Sequence, residues 1–275
     1  MIDALTPLLP GFTNLQWLAS TGSSNADLML RARQPAHPPL PWLLGADHQS
    51  AARGRAGRVW QNTSGATLMF SCAFAVDLPV SELPGLSPVM GIAACEALRA
   101  LITEHEGAET PSRSASLLKL KWPNDLLWGQ AKLAGILVEA TSIPGSSIPI
   151  IVVGIGLNLK DAEARSIALN RPIADWSQIA DISSVQIVAR IAQAWSEAIK
   201  IYATERYAAF TKRFDRVDAL AGQQIDVKDH ETILQTGIAI GTDSIGRLLL
   251  QTEQGVSAVM VGDVSIHSAA SAAAN

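Results

Sequence analysis

The chain has 275 residues, 48% of them hydrophobic and 17% charged, and 21 Lys and Arg against 25 Asp and Glu give a net charge of −4. This length and apolar content suffice for a substantial core in one globular domain, or in a large domain with a small one, and the acidic balance excludes a protein that works mainly by gripping nucleic-acid phosphates. Cys72 and Cys95 are too few and too far apart for a disulfide framework, and the five histidines are scattered, so a reducing compartment and no protein-held metal are expected.

The first residues, "MIDALTPLLPGFTNLQWL", have no basic n-region, and no apolar stretch reads as the ~20 residues of a membrane span, so a soluble cytoplasmic protein is expected. "PWLLGAD" (41–47) and "ATLMFSCAFAV" (66–76) are short apolar runs bounded by Gly, Pro or Asp, which predict buried strands. "SPVMGIAACEALRALITEHE" (87–106) spaces Val89, Ala93, Leu98, Leu101 and Ile102 for a helix that Pro88 helps to open. After a polar linker (107–116), "LLKLKW", "KLAGILVEA" and "IPIIVVGIGLNL" supply further strands, which together read as one mixed sheet covered by helices. The segment from 160 to 181 reads as irregular. Residues 184–210 form the longest amphipathic stretch, with Ile187, Ile191, Trp195, Ile199 and Tyr202 on one stripe. From 218 onward, strand-like runs separated by Gly- and Asp-containing turns predict a β-barrel of about fifty residues, and "SAASAAAN" predicts a mobile tail. The expected division is 1–217, 218–268 and a tail at 269–275.

Four stretches carry candidate chemistry. In "HQSAARGRAGRVW" (48–60), Gly54 and Gly57 allow close backbone approach, and Arg53, Arg55 and Arg58 could each hold a carboxylate or phosphate through paired hydrogen bonds; a solvated loop is the alternative. In "KWPNDLLW" (121–128), Pro123 keeps Trp122 extended and presents Asn124 and Asp125 at a strand end, although Asn-Asp is also an ordinary turn. Lys132 opens an apolar strand either as a solvent-facing end or as a partly buried ammonium, which would require an anionic partner, and Gly135 lets a neighbour approach that strand. "GIGLN" (154–158) lacks the third glycine and following helix of a dinucleotide fingerprint, but Asn158 could still read an adenine edge or a phosphate.

In order and spacing, "SSN" at Ser23, Ser24 and Asn25, "ARGRAGR" at 52–58, "KWPND" at 121–125, "KLAGILVE" at 132–139 and "GIGLN" at 154–158 resemble the biotin protein ligases, across roughly residues 14 to 267. The resemblance implies an α+β fold, with a mixed β-sheet covered by helices in a class II synthetase-like catalytic domain and a small C-terminal SH3-like β-barrel. It implies an acid–amine ligase that uses ATP, with Mg²⁺ accompanying it, to turn biotin into biotinyl-5'-AMP. The biotinyl group then passes to a lysine of a biotin carboxyl carrier protein, the carrier of a carboxylase such as acetyl-CoA carboxylase. By the same resemblance Ser23, Ser24, Asn25 and Gln49 bond the ureido ring, and Arg53, Gly54 and Arg55 close over the biotin tail and phosphate. Lys132 pairs with the carboxylate or acyl-phosphate oxygens. Trp60, Asn124 and Asn158 serve the adenylate, and Asp125 lies near the acyl phosphate or the incoming amine.

Departures from the family pattern are Ser24 for Thr, Ala52 for the first loop Gly, and His267 where relatives carry Arg. About twenty residues before Ser23 leave no room for a helix-turn-helix, so no DNA and no membrane are expected as partners; a homodimer is left open. The alternatives are a lipoate or octanoate ligase or transferase of the same fold and a non-catalytic biotin or adenylate sensor.

Overall fold

Residues 67–75 and 150–158 contain no charged side chain, and they pair at the centre of a sheet that is covered on both faces. Near-continuous apolar runs of this kind are what two-sided burial demands. The computed structural model describes residues 1–34, 37–110, 112–142, 148–229, 232–259 and 263–266. Its seven-stranded sheet comprises β1 (Asn14–Thr21), β2 (Trp42–Gln49), β3 (Thr67–Ala75), β4 (Leu118–Lys121), β5 (Asp125–Trp128), β6 (Ala131–Thr141) and β7 (Ile150–Asn158), in the order β1-β2-β3-β7-β6-β5-β4. Only the β1–β2 pair is parallel, so the sheet is mixed, as expected.

Among the described residues the helices are α1 (Ile2–Leu5), α2 (Ser24–Ala32), α3 (Leu86–His105), α4 (Arg113–Leu117), α5 (Ala162–Leu169), α6 (Ser184–Glu205) and α7 (Thr211–Val217). One sheet face, with Phe70, Cys72, Ile151, Val153 and Ile155, joins the main core with α3 and α6, where the Trp195 indole N–H donates to the Met90 carbonyl at 3.0 Å. The opposite face presents Trp42, Leu44, Ala73, Ile150 and Val152 to Leu28 and Ala32 of α2. Strand side chains alternate between faces, so Ser71, Gly154 and Gly156 lie on the α2 face, beyond the apolar patch that α2 covers. That bare end of the sheet is the floor of the site.

Several elements differ from the sequence reading. The linker at 107–116 runs into α4, capped by the Ser112 side chain, which accepts from the Ala115 N–H at 3.0 Å. The stretch from 160 to 181 is not irregular. It holds α5, whose ends at Asp161 and Asn170 take left-handed backbone (φ 68° and 46°), polar flanks that hide a short helix in the sequence pattern. The long helix stops at Glu205 because Arg206 has φ 60°. β1, α2 and β5 had no strong apolar period to announce them. The segment 80–105 is, by length and composition, apolar enough to cross a membrane, contrary to the sequence reading; most of it is buried inside the fold as a core helix.

The second sheet consists of β8 (Gln224–Asp229), β9 (Thr232–Thr242), β10 (Leu248–Thr252), β11 (Gly255–Val259) and β12 (Asp263–Ile266), all antiparallel, in the order β11-β10-β9-β8-β12. Its apolar face, including Ile225, Leu248 and Leu250, is continuous with the main core. Two hydrogen bonds tie it to the β4 end of the large sheet, from Ala219 N–H to the Leu120 carbonyl (2.9 Å) and from the Trp122 indole to the Gly246 carbonyl (3.0 Å). At this junction Asp218 is buried. Burial pushes its carboxyl up to about 6, with the Leu220 N–H bond acting the other way. His267 and the tail at 269–275 lie outside the described residues.

Candidate active site

Glycine spacing on β7 builds the floor. Gly154 faces Ser71 of β3 and Leu137 of β6 across the sheet, and a Cβ there would overlap the Asn25 side-chain oxygen and lie 3.0 Å from Ser71 Oγ. Two residues on, Gly156 pairs with Gly135 of β6, and Cβ atoms at these positions would lie 2.5 and 3.0 Å from the Trp60 ring. The neighbour that Gly135 admits is therefore the Trp60 side chain, which rests on a patch of sheet without side chains.

Above this floor is an open cleft, with about 900 Å³ of empty space when the open solvent at its mouth is included. At one end, neutral groups bond one another. Gln49 Oε1 accepts from the Ser24 backbone N–H (3.1 Å), Gln49 Nε2 donates to Ser24 Oγ (3.0 Å), Ser24 Oγ meets Ser71 Oγ (2.6 Å), and Ser71 Oγ donates to Asn25 Oδ1 (2.6 Å). Ser23 is the N-cap of α2 and accepts from Ala26 N–H at 3.4 Å, which sets the start of the helix carrying Ser24 and Asn25. Ser71 was missed from the sequence. Its signal was available: a hydroxyl in an apolar buried strand needs a partner.

The other end is cationic. Lys132 Nζ lies 2.6 Å from Asp125 Oδ1, and both side chains are mostly buried, so the lysine is the partnered ammonium rather than a solvent-facing strand end. Its Nζ also sits 5.3 Å from the Trp60 ring centroid, within reach of a cation–π contact. Asn124 is fixed to β6 in both directions, Nδ2 donating to the Ile136 carbonyl (2.8 Å) and its own carbonyl accepting from Ile136 N–H (2.9 Å). Its Oδ1 accepts from Arg55 Nη1 at 3.4 Å, so Asn124 steadies the arginine loop. Burial draws the Arg55 guanidinium down from its usual value, with Asp125 opposing and Arg58 adding to the effect. Lys121 is lowered for the same first reason, again with Asp125 opposing.

The loop itself differs from expectation in where its strain sits. Gly54 has φ −102° and a Cβ there would meet only the Arg58 carbonyl at 3.9 Å, while Ala56 (φ 53°) and Gly57 (φ 71°) take the left-handed conformation. Ala52 keeps ordinary backbone, and its carbonyl accepts from Trp60 N–H at 2.9 Å, so the missing glycine there costs the loop nothing. Arg53 reaches across to Glu139 (3.4 Å), whose other oxygen accepts from Asn25 Nδ2 (2.8 Å).

The cleft thus brings together Ser23, Ser24, Asn25, Gln49, Arg53, Gly54, Arg55, Trp60, Asn124, Asp125 and Lys132. Asn158 is not among its lining side chains. It is buried, with Nδ2 donating to the Lys132 and Ala174 carbonyls (both 3.1 Å), and it holds the 172–174 segment against β6. Its Oδ1 and the Trp60 Nε1 are buried without a hydrogen-bond partner among the described residues.

A model of the biotin/lipoate A/B protein ligase family matches residues 21–158, and a model of the biotin protein ligase C-terminal domain matches residues 221–266. The chain is 34% identical over 273 residues to the biotin–[acetyl-CoA-carboxylase] ligase of Mycobacterium tuberculosis, covering 95% of this chain and 92% of that one. It is 30% identical to the bifunctional ligase/repressor BirA of Escherichia coli over 82% of this chain, and spans 66% of that protein's length. The solved biotin protein ligase of Aquifex aeolicus in complex with biotin and ATP superposes with a TM-score of 0.72 at 25% identity, over 93% of this chain and 99% of that one. On the family match over half its length and the identity to these relatives, the chain belongs to the biotin/lipoate A/B protein ligase family.

Proposed function

We propose that the protein is an ATP-dependent biotin protein ligase. The biotin carboxylate attacks the α-phosphate of ATP to give biotinyl-5'-AMP and pyrophosphate. A lysine amine of a biotin carboxyl carrier protein then attacks the acyl phosphate, and AMP leaves. The observation that carries this reading is the polarity gradient along one cleft, from the neutral Gln49–Ser24–Ser71–Asn25 network to the cationic end around Lys132 and Arg55. A neutral ureido ring matches the first end. A carboxylate becoming an acyl phosphate matches the second, where fixed cations face charge as it shifts. The relatives' names support the same chemistry.

In this proposal Lys132 contacts the carboxylate and acyl-phosphate oxygens, Arg53, Gly54 and Arg55 close the loop over them, and Trp60 flanks the adenylate. Asn124 acts by holding Arg55, and Asn158 by holding the segment that follows α5. Asp125 is placed for the incoming amine. Among the described residues no three His, Cys, Asp or Glu side chains gather as a metal site. Mg²⁺ accompanying the ATP phosphates belongs to the proposal too, with Asp125 the carboxylate that lines the cationic end. The domain division at 217/218 belongs to the proposal, supported by the second sheet that begins at Gln224. So does a reducing, cytoplasmic setting, supported by the buried free thiols of Cys72 and Cys95.

The test is incubation with ATP, Mg²⁺, biotin and an apo carrier domain, followed by intact mass. Addition of one biotinyl group supports the ligase. Tight biotin binding with no carrier labelling replaces it with a sensor, and calorimetric binding of lipoate but not biotin replaces it with a lipoate enzyme.

A further inference from the structure

The cationic end of the cleft holds more positive charge than the reacting carboxylate needs. Arg55, Lys132 and Arg171 line it. Among the described residues the carboxylate that lines this end is Asp125, already bonded to Lys132. Like charges gathered in a partly desolvated cleft repel unless an anion of comparable charge joins them, and the chain as a whole is acidic at −4. The concentration is therefore local to this end.

Arg171 belongs to none of the motifs that carry the family resemblance, yet its position is built. It follows the α5 C-cap Asn170, its backbone N–H donates to the Ser166 carbonyl (3.2 Å), and the next residues lock onto the start of β6. There Lys132 N–H donates to the Pro172 carbonyl and Ala174 N–H to the Lys132 carbonyl, both at 3.0 Å. The backbone of Lys132 thus fixes where Arg171 enters the cleft. Its side chain is exposed and lines the cleft.

We propose that Arg171 binds the β- and γ-phosphates of ATP and holds the pyrophosphate as it leaves. This rests on the ligase reading. In the first half-reaction a biotin carboxylate oxygen forms a bond to the α-phosphorus, the bond from that phosphorus to the bridging oxygen breaks, and the electron pair departs with pyrophosphate. Arg171 faces the charge that accumulates there. Lys132 and Arg55 remain with the acyl phosphate.

The two half-reactions separate this assignment from a structural role, because pyrophosphate takes part only in the first. In the full-length chain, Arg171→Ala should raise KM for ATP and the pyrophosphate concentration needed for biotin-dependent ATP–pyrophosphate exchange by about tenfold. Arg171→Lys should recover part of that loss. Transfer from supplied biotinyl-5'-AMP to an apo carrier domain should be spared in both variants. Equal losses in exchange and transfer, or unaltered KM for ATP and pyrophosphate, overturn the assignment. A parent chain that neither exchanges pyrophosphate nor labels the carrier from supplied adenylate overturns the ligase reading itself.

Discussion

Gly154→Ala tests whether the ring-binding end is built by the absence of a side chain on β7. The new methyl would overlap Asn25 Oδ1 and lie 3.0 Å from both Asn25 Cγ and Ser71 Oγ. The strand cannot yield, because Gly154 is paired with Ser71 on one side and Leu137 on the other. Asn25, only 4% exposed, must therefore swing away and give up the bonds from Ser71 (2.6 Å) and to Glu139 (2.8 Å). Each hydrogen bond contributes about 1 kcal/mol net, and a buried polar atom left without a partner costs about 1–3 kcal/mol, so the fold should lose about 2–4 kcal/mol. In a domain of this size that lowers Tm by roughly 5–15 °C. Biotin affinity, measured calorimetrically on the folded variant, should fall by at least about tenfold, since each 1.4 kcal/mol is a factor of ten. Gly11→Ala, where a Cβ meets nothing within 4 Å and φ is not positive, is the matched control. A Gly154→Ala protein with the parent Tm and the parent biotin affinity would refute the reasoning.

Lys132→Ala removes a charge-assisted contact worth roughly 1.5–3 kcal/mol and takes from Asp125 its 2.6 Å ion-pair partner, so biotin-dependent pyrophosphate release should drop by about tenfold or more; near-normal release would remove Lys132 from the proposed site. Glu139→Gln keeps an acceptor for Asn25 but takes the charge from Arg53, whose side chain is 47% exposed, so the expected change is a few-fold rise in AMP released without carrier labelling, read by comparing the two products. Asp218→Asn tests the buried junction carboxyl. Its folded value of about 6 lies above the ordinary 3.8, so its protonated form stabilises the fold fully below about pH 4 and that contribution is lost as pH rises to about 6. The loss amounts to about 3 kcal/mol, and the Asn variant should lack it and be the more stable protein at pH 7, while parallel pH–stability slopes in denaturant titrations would disprove it.

The strands β2, β3, β6 and β7 and the helices α3 and α6 were legible because burial writes itself into apolar runs and helical periodicity. The need for an anion beside a buried Lys132 was legible too, but its identity was not: Asp125 becomes the partner through the β5–β6 pairing, a matter of register that a single sequence does not display. Glu139 was in plain sight within "KLAGILVE", yet its bonds to Arg53 and Asn25 join residues 86 and 114 positions apart. "GIGLN" read as a strand end, and its glycines proved to be seats for Asn25 and Trp60, a role that depends on which side chain arrives from elsewhere in the chain. Asn158 looked like a ligand-reading group because it closes that motif. The backbone carbonyls that occupy its amide belong to Lys132 and to Ala174, beyond α5, a helix that the composition concealed.

The two ends of the cleft face opposite electrostatic demands. A neutral ring is held best by dipoles that already satisfy one another, since unpaired buried donors or charges there would carry a desolvation cost with no ionic partner to offset it. A carboxylate exchanging its charge with phosphate needs fixed cations, and at an effective dielectric near 20 a unit charge 4 Å from one of them gains about 4 kcal/mol. Joining these ends without mixing them falls to Glu139, on the interior strand β6: one oxygen accepts from the Asn25 amide of the neutral network, and the other holds the Arg53 guanidinium of the loop. A carboxylate there balances a loop cation without entering the ring-binding network as a bare charge, because the Asn25 amide stands between them. The same charge placed at Ser71 would sit inside that network, against Ser24, Asn25 and Gln49, and the neutral end would no longer be neutral.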